Sequence, residues 1–265
     1  RGFTAYAYEE DVPFAHVWRV RLDGDEAGEP TAFDLAGHAS AVELSDDGAH
    51  LAVALAPTPL IDDRYMKRRW NVVDAADGDV VSTIESQGKT GSVAFSPNGA
   101  QLALILGIDE HDPTAGTLAV ADVGSGDFEF IDVDGEQQVR DMVWLDDDSL
   151  LALAHVSTES ALVTYGVDGA EIGRRAFDDH VIRSLDRHAG TGRLAVVTDA
   201  PFHPRELATL TSPDADLVRA NDHNPWLSDR ELGEQRTYSF TASDGVRVDG
   251  VLITPRGRAP RGGWP

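Results

Sequence analysis

Two different hairpin motifs alternate along this chain, each recurs in units of about 43 to 51 residues, and similar turn dipeptides close the copies. Together these predict an all-β protein of repeated four-stranded units. Two hairpins per unit make four strands, and four strands at this period form the blade of a β-propeller.

The first motif begins at Val42. Residues 42–53 read VELSDDGAHLAV, residues 93–104 VAFSPNGAQLAL and residues 142–153 MVWLDDDSLLAL. A looser fourth copy with an enlarged turn spans 182–197, where Leu194 takes the place of Leu51, Leu102 and Leu151. Each copy reads as strand, polar turn, strand. Period-two spacing sets Val42 with Leu44, Val93 with Phe95, and Met142 with Trp144 on one face. Asp47-Gly48 and Asn98-Gly99 offer residues that accept positive φ, and in the third copy Asp148 is expected to do so in place of glycine. The second motif runs from Val72 to Asp79 and from Val120 to Asp127, with shorter echoes at Thr164 to Gly169 and Val17 to Gly24. Blades are therefore expected at about 41–84, 91–133, 140–177 and 181–219. Strands near 3–8, 16–22 and 31–35 make most of another.

Two long insertions, Pro57 to Arg69 and Gly107 to Gly116, fall between the second and third strands of successive blades. Loops on one face of a propeller commonly build its binding surface.

Composition removes several function classes. With 46 Asp and Glu against 22 Lys and Arg, the net charge is −24, so no nucleic-acid partner is expected: phosphate neutralisation needs a basic face. The plain reading of that charge is a heavily solvated acidic surface of the kind found in salt-rich settings. Cysteine is absent, which removes disulfides, a thiolate nucleophile and Cys-based zinc sites. No apolar run approaches the ~18 residues needed to span a bilayer, so no membrane partner is expected. The chain starts at Arg1, inside a predicted strand, so an N-terminal portion is expected to precede it. That leaves the compartment open, with the cytoplasm as default.

The end of the chain departs from the repeat. Asp244-Gly245 sits between alternating runs Thr237 to Thr241 and Val246 to Ile253, a hairpin signature. Upstream lie Pro201-Phe-His-Pro-Arg-Glu206-Leu207, then Asn224-Pro-Trp-Leu227 and Leu232 to Gln235, and the hairpin ends at Pro255. This order resembles the propeller-to-hydrolase junction of the prolyl oligopeptidase family of serine peptidases, in its acylaminoacyl-peptidase and dipeptidyl-peptidase-like branch. The resemblance implies a propeller at 1–222, a linker at 223–235 and the truncated start of an α/β-hydrolase domain at 236–265. It implies seven or eight blades, of which four to five are visible. It also implies a substrate-gating propeller that admits short peptides or blocked N-terminal residues, and partnership with the chain's own C-terminal hydrolase domain. A Ser-His-Asp acyl-enzyme mechanism follows from it, without cofactor, and homo-oligomerisation stays open. No Gly-x-Ser-x-Gly elbow occurs in these residues, so the catalytic groups are expected beyond residue 265 and the fragment alone should be inactive.

Candidate binding residues are few. Glu9 and Glu10, after Tyr8, resemble the paired glutamates with which the dipeptidyl-peptidase branch grips a substrate amine; the plainer reading is a solvated loop. Arg64 and Arg68, with Lys67 and Arg69, form a basic cluster in an acidic chain, suited to a peptide carboxylate or to salt bridges with neighbouring blades. Asp109 to Asp112 and Asp178 to His180 offer metal-ligand atoms but repeat no recognised metal spacing. His203 reads as a structural residue.

Two rivals remain. A non-catalytic propeller that binds or scaffolds partners explains the repeat but not the unrelated hairpin after it. A metal-dependent propeller enzyme would need inward Asp, Asn, Glu or His at equivalent positions, where Leu44, Phe95 and Trp144 stand instead. The acidic surface predicts that salt stabilises the chain by screening like-charge repulsion, with loss of fold at low salt. A circular dichroism melt that does not change between low and molar salt would contradict this.

Overall fold

The computed structural model describes residues 12–24, 26–131 and 137–263. The strands expected near 3–8 lie outside them. The chain divides into two compact units, residues 1–133 and 134–265.

In the first unit, short strands β1 (Trp18–Arg19), β2 (Leu22–Asp23), β3 (Glu26–Ala27) and β4 (Thr31–Ala32) pair as β1 with β4 and β2 with β3. Two four-stranded antiparallel sheets follow. The first is β5 (His38–Leu44), β6 (His50–Ala56), β7 (Arg69–Asp74) and β8 (Val80–Ile84), with the helix α1 (Ile61–Met66) between β6 and β7. The second is β9 (Thr90–Phe95), β10 (Gln101–Leu106), β11 (Thr117–Asp122) and β12 (Phe128–Phe130). The second unit holds β13 (Gln137–Trp144), β14 (Ser149–Val156), β15 (Glu159–Gly166) and β16 (Glu171–Phe177), then β17 (Val181–Arg187), β18 (Leu194–Ala200), β19 (His203–Leu210) and β20 (Val218–Arg219). A 3₁₀ turn at Pro225–Asp229 leads to the hairpin β21 (Glu234–Thr241) and β22 (Arg247–Thr254). Every blade runs in simple up-and-down order. The chain is thus all-β, with four blades of propeller type.

The second strands of the first three blades are apolar on both faces because both are covered, whereas β18 in the fourth alternates buried and half-buried residues. In β6, Ala52 and Ala54 join Trp70, Leu102 and Leu104 in one cluster, while Val53 joins Val17, Phe33 and Val73 in another. Strand alternation therefore sorts neighbours between two cores. In the second unit Leu151 and Leu153 pack with Leu162, Ile182, Leu194 and Val196.

Val42 and Leu44 share a face as expected but remain 47 % and 54 % exposed, against 5 % and 6 % for Met142 and Trp144. Val42 pairs with Val53, and the cluster that buries Val53 with Val17, Phe33 and Val73 takes in Ala39 of β5 but not Val42 or Leu44.

The turns explain the repeated signature. Ser45 Oγ donates to Asp47 Oδ1 (2.7 Å) and accepts from His50 N (2.9 Å), and Asp47 Oδ1 also accepts from Ala49 N (2.9 Å). Ser96 and Asn98 repeat the arrangement at 2.8, 3.0 and 2.9 Å. Gly48 and Gly99 follow at φ +71° and +70°. The third copy differs from expectation: Asp148 is not at positive φ. Its turn is one residue shorter, Trp144 pairing with Leu150 where Leu44 pairs with Leu51, and Asp146 Oδ1 closes it through Asp148 N (3.0 Å) and Ser149 Oγ (2.8 Å). Gly126, in the second motif, is needed twice over: φ is +77°, and an added Cβ would meet Thr83 O at 2.5 Å.

Each first strand carries a bulge at an equivalent place, around Ser40, Gly91, Arg140 and Arg183. A bulge leaves backbone groups outside the ladder. Within each unit the preceding blade takes them up: Trp70 Nε1 donates to Gly91 O (3.3 Å), Ser160 Oγ accepts from Ile182 N (2.9 Å), and His155 Nε2 donates to Ile182 O (2.8 Å). Asp141 adds a tie from β13 to β17, accepting from Leu185 N at 2.9 Å. Burial raises its carboxyl pKa although Leu185 N–H and Met142 N–H both favour the charged form.

Leu153→Ala, at a fully buried site, should cost about 2–5 kcal/mol by chemical denaturation. Val246→Ala, at 57 % exposure, should change stability by less than about 0.5 kcal/mol, and similar losses at both sites would contradict this account of the core.

Candidate functional site

The β14–β15 turn, the β16–β17 loop, the β18–β19 turn and the base of the hairpin meet at one rim of the second unit. Val156 pairs with Glu159, so only Ser157 and Thr158 turn the chain. Ser157 is the one non-glycine at positive φ (+55°) among the described residues. A two-residue hairpin loop with φ > 0 at its first position normally carries glycine there. The serine instead supplies a hydroxyl: its Oγ donates to Asp249 Oδ2 (2.8 Å), and Thr158 Oγ1 bonds Thr237 Oγ1 (2.7 Å). The turn thereby seats the hairpin. Hydrogen bonds from Ser239 and Ser157, with Arg247 beside them, hold the Asp249 carboxyl below its ordinary range.

The expected hairpin forms, with Thr241 opposite Arg247, Ala242 N on Val246 O (2.8 Å), Gly245 at φ +90° and Val246 N on Asp244 Oδ1 (3.1 Å). Tyr238 and Phe240 stack at 6.4 Å and stay about half exposed.

Two clefts open at this rim, sharing His180. One, of about 470 Å³, is bordered by Glu159, Asp178, Asp179, Asp199 and Arg236. Asp199 is engaged by Arg183 through two bonds, 2.7 and 3.1 Å. The other, of about 440 Å³, has Arg219, Arg230 and Arg256 around Phe202 and His203. The rings of His180, Phe202 and His203 lie 5.1 to 5.9 Å apart, centroid to centroid. Burial, and then the neighbouring His203, lower the His180 pKa, with Asp179 opposing.

The linker is pinned from β19. Glu206 is buried and accepts from His223 N (2.8 Å) and His223 Nδ1 (3.0 Å), while Asn221 Oδ1 accepts from Leu207 N (2.8 Å). The Pro-x-Glu-Leu stretch is therefore a strand whose glutamate holds the chain as it leaves the last blade.

Glu9 and Glu10 lie outside the described residues. Arg64 sits exposed on α1, and among the described residues its guanidinium has no hydrogen bond or ion pair; it faces His38, whose pKa is lowered by burial and then by Arg64. Arg68 binds Thr90 instead, Nε to Oγ1 at 2.8 Å and the terminal nitrogen to Thr90 O, a tie to the next blade. Lys67 pairs with Asp63 at 2.8 Å. The rim helix was not expected from the sequence; Thr58 on Asp63 (2.7 Å) and the i,i+4 spacing of Asp63 and Lys67 were its signals. Asp109 and Asp112 fold their own loop, accepting from His111 N, Asp112 N and Ile108 N at 2.7 to 3.1 Å. Among the described residues no group of three or more His, Asp or Glu converges as a metal site. Likewise no helix among them is long and apolar enough to cross a membrane.

No family model matches the chain, and no curated protein does. Among solved structures the chain is similar to a serine-to-alanine variant of puromycin hydrolase complexed with PGG, with a TM-score of 0.59 at 15 % identity. The match covers 84 % of this chain and 35 % of that one, so the chain spans about a third of its neighbour's length. At that identity the likeness establishes the fold.

The linker's anchor has a pH sign. The His223 backbone N–H foremost, then its ring, holds the Glu206 pKa below the ordinary carboxylate value. Its contribution is therefore complete above the unfolded glutamate value and lost as pH falls through the lower folded value. The protection factor of the His223 amide against hydrogen exchange should fall on acidification, and Glu206→Ala should show roughly tenfold lower protection already at pH 7. Equal protection in both proteins would overturn the assignment.

Proposed function

We propose that this chain is the substrate-gating propeller portion of a serine peptidase of the prolyl oligopeptidase family, resembling its acylaminoacyl-peptidase and dipeptidyl-aminopeptidase branch. One observation carries the reading: four propeller blades give way to a linker pinned by Glu206 and then to an Asp-Gly hairpin seated on the Ser157–Thr158 turn. A propeller that ends its own repeat and holds an unrelated hairpin at its rim is organised to carry a second domain. The fold likeness to puromycin hydrolase supports a hydrolase parent.

In this reading residues 236–265 open an α/β-hydrolase domain whose catalytic groups lie beyond residue 265. There a serine, deprotonated by a histidine that an aspartate orients, attacks the peptide carbonyl. The amine leaves with the proton the histidine carries, and water then releases the acyl group by the same route. The propeller admits short peptides and excludes folded proteins. Arg64 is the basic side chain left available to a peptide carboxylate, with Glu9 and Glu10 as partners for a free amine; Arg68 serves the blade contact.

The test is to express the reading frame with any coding sequence that follows codon 265 and to treat it with a fluorophosphonate probe and with blocked aminoacyl and dipeptidyl anilides. The longer protein should be labelled on one serine and release the anilines, while the 265-residue chain does neither. A frame that stops after Pro265, or a longer protein that takes no label, would leave a non-catalytic binding propeller.

A further inference from the structure

The cleft of about 440 Å³ beside the linker runs against the acidic composition of the chain. In a chain with 46 acidic and 22 basic residues, three arginines, Arg219, Arg230 and Arg256, border one opening with a single carboxylate, Asp222. Asp222 is committed to Arg219 at 2.8 Å. That leaves two guanidiniums uncompensated at the opening.

Neither is spent internally. Arg230 lays its guanidinium over the Trp226 ring, 5.8 Å from the centroid, a contact that uses its face and frees its N–H edges. Arg256 gives Nε to Leu232 O at 2.9 Å and keeps its two terminal nitrogens. A guanidinium fork matches an oxyanion in geometry as well as charge.

The floor adds an independent indication. His203 is only 7 % exposed, and its Nδ1 bonds the Pro204 carbonyl at 2.7 Å. A carbonyl can only accept, so the proton sits on Nδ1; His203 borders the cleft, and its Nε2 has no partner among the described residues. A lone pair so placed accepts from a protonated oxygen of a ligand, such as the P–OH of a singly charged phosphate. Beside it Phe202, 55 % exposed, offers an apolar ring, and Leu227 and Leu232 extend that surface. Convergent polar groups on an apolar wall, at this volume, describe a small-molecule site.

We propose that this cleft binds a small ligand that carries an oxyanion, carboxylate or phosphate, on a flat apolar body: the oxyanion meets Arg230 and Arg256, a protonated oxygen, where the ligand has one, meets His203, and the apolar body lies on Phe202. The assignment stands apart from the peptidase reading, since it requires no residue outside the chain.

The test uses the 265-residue protein with benzoate, phenyl phosphate, inorganic phosphate and benzamidine as probes, read by calorimetry and by tryptophan fluorescence, to which Trp226 contributes as one of five tryptophans. Benzoate or phenyl phosphate should saturate with a dissociation constant below about 1 mM. Inorganic phosphate should bind more weakly for want of the apolar part, and benzamidine, of like shape and opposite charge, should not bind. Which of the first two binds tighter distinguishes a carboxylate ligand from a phosphate one. The double substitution Arg230→Gln with Arg256→Gln should weaken binding by tenfold or more. Asn224→Asp, an isosteric change that puts a negative charge on the wall, should weaken it without touching either arginine. No saturable binding by either aromatic anion, equal binding of benzamidine, or unchanged affinity in Asn224→Asp with an intact circular dichroism spectrum would each overturn the proposal.

Discussion

Everything in this molecule depends on second strands that are buried on both faces. Ala52, Val53 and Ala54 in β6, Leu102 to Leu106 in β10 and Leu150 to Ala154 in β14 are all at or near zero exposure. A strand covered on one face can be half polar; one covered on both must be apolar throughout, and it stabilises only while a neighbour lies against each side. Within each unit no blade is self-sufficient, because part of its central strand belongs to a core shared with the neighbouring blade. That is why the repeat exists: burial of one unit demands another of the same shape.

The polar contacts within each unit follow from that demand. Stacked sheets leave the bulged first strand with unpaired backbone groups at the blade contact, where water is excluded. Trp70 and Arg68 reach Gly91 and Thr90 in one unit, while His155 and Ser160 reach Ile182 in the other. Different residue types do the same work at corresponding places. The fold prescribes that a donor or acceptor be present there, and it leaves the chemistry of that group free.

This freedom explains what could be read from the sequence and what could not. The blades and the turns were legible because backbone requirements are repeated with residue types almost intact, as Ser45 with Asp47 and Ser96 with Asn98 show. The shortened third turn was not, since Asp146 and Ser149 replace a glycine turn by side-chain bonds that leave the strand pattern unaltered. The hairpin was visible from Asp244-Gly245, yet its seat was not: Ser157 and Thr158 are ordinary turn residues in a string, and only their 2.8 and 2.7 Å bonds to Asp249 and Thr237 mark them. Arg64 and Arg68 looked alike in sequence, and the fold separates them, one exposed and one tied to the next blade. The cleft around His203 was missed for a related reason. Its arginines come from β20, the linker and the tail after β22, spread over 38 positions, and no local spacing brings them into view.

Function in such a scaffold concentrates where the repeat is broken. Along the blades every deviation costs burial on two faces, so substitutions there are constrained to the apolar and the small. At the rim the constraint ends: the β6–β7 connection becomes a helix, the β18–β19 turn carries Phe202 and His203, and the last blade passes into a linker through Glu206. The bulge joins the two regimes. Its position recurs in all four blades, but a serine, a glycine and two arginines (Ser40, Gly91, Arg140 and Arg183) occupy it, and Arg183 uses the bulge to reach Asp199 at the border of the acidic cleft. A backbone irregularity kept for packing thus places a variable side chain next to the rim, where a change of residue alters the cleft without disturbing the core.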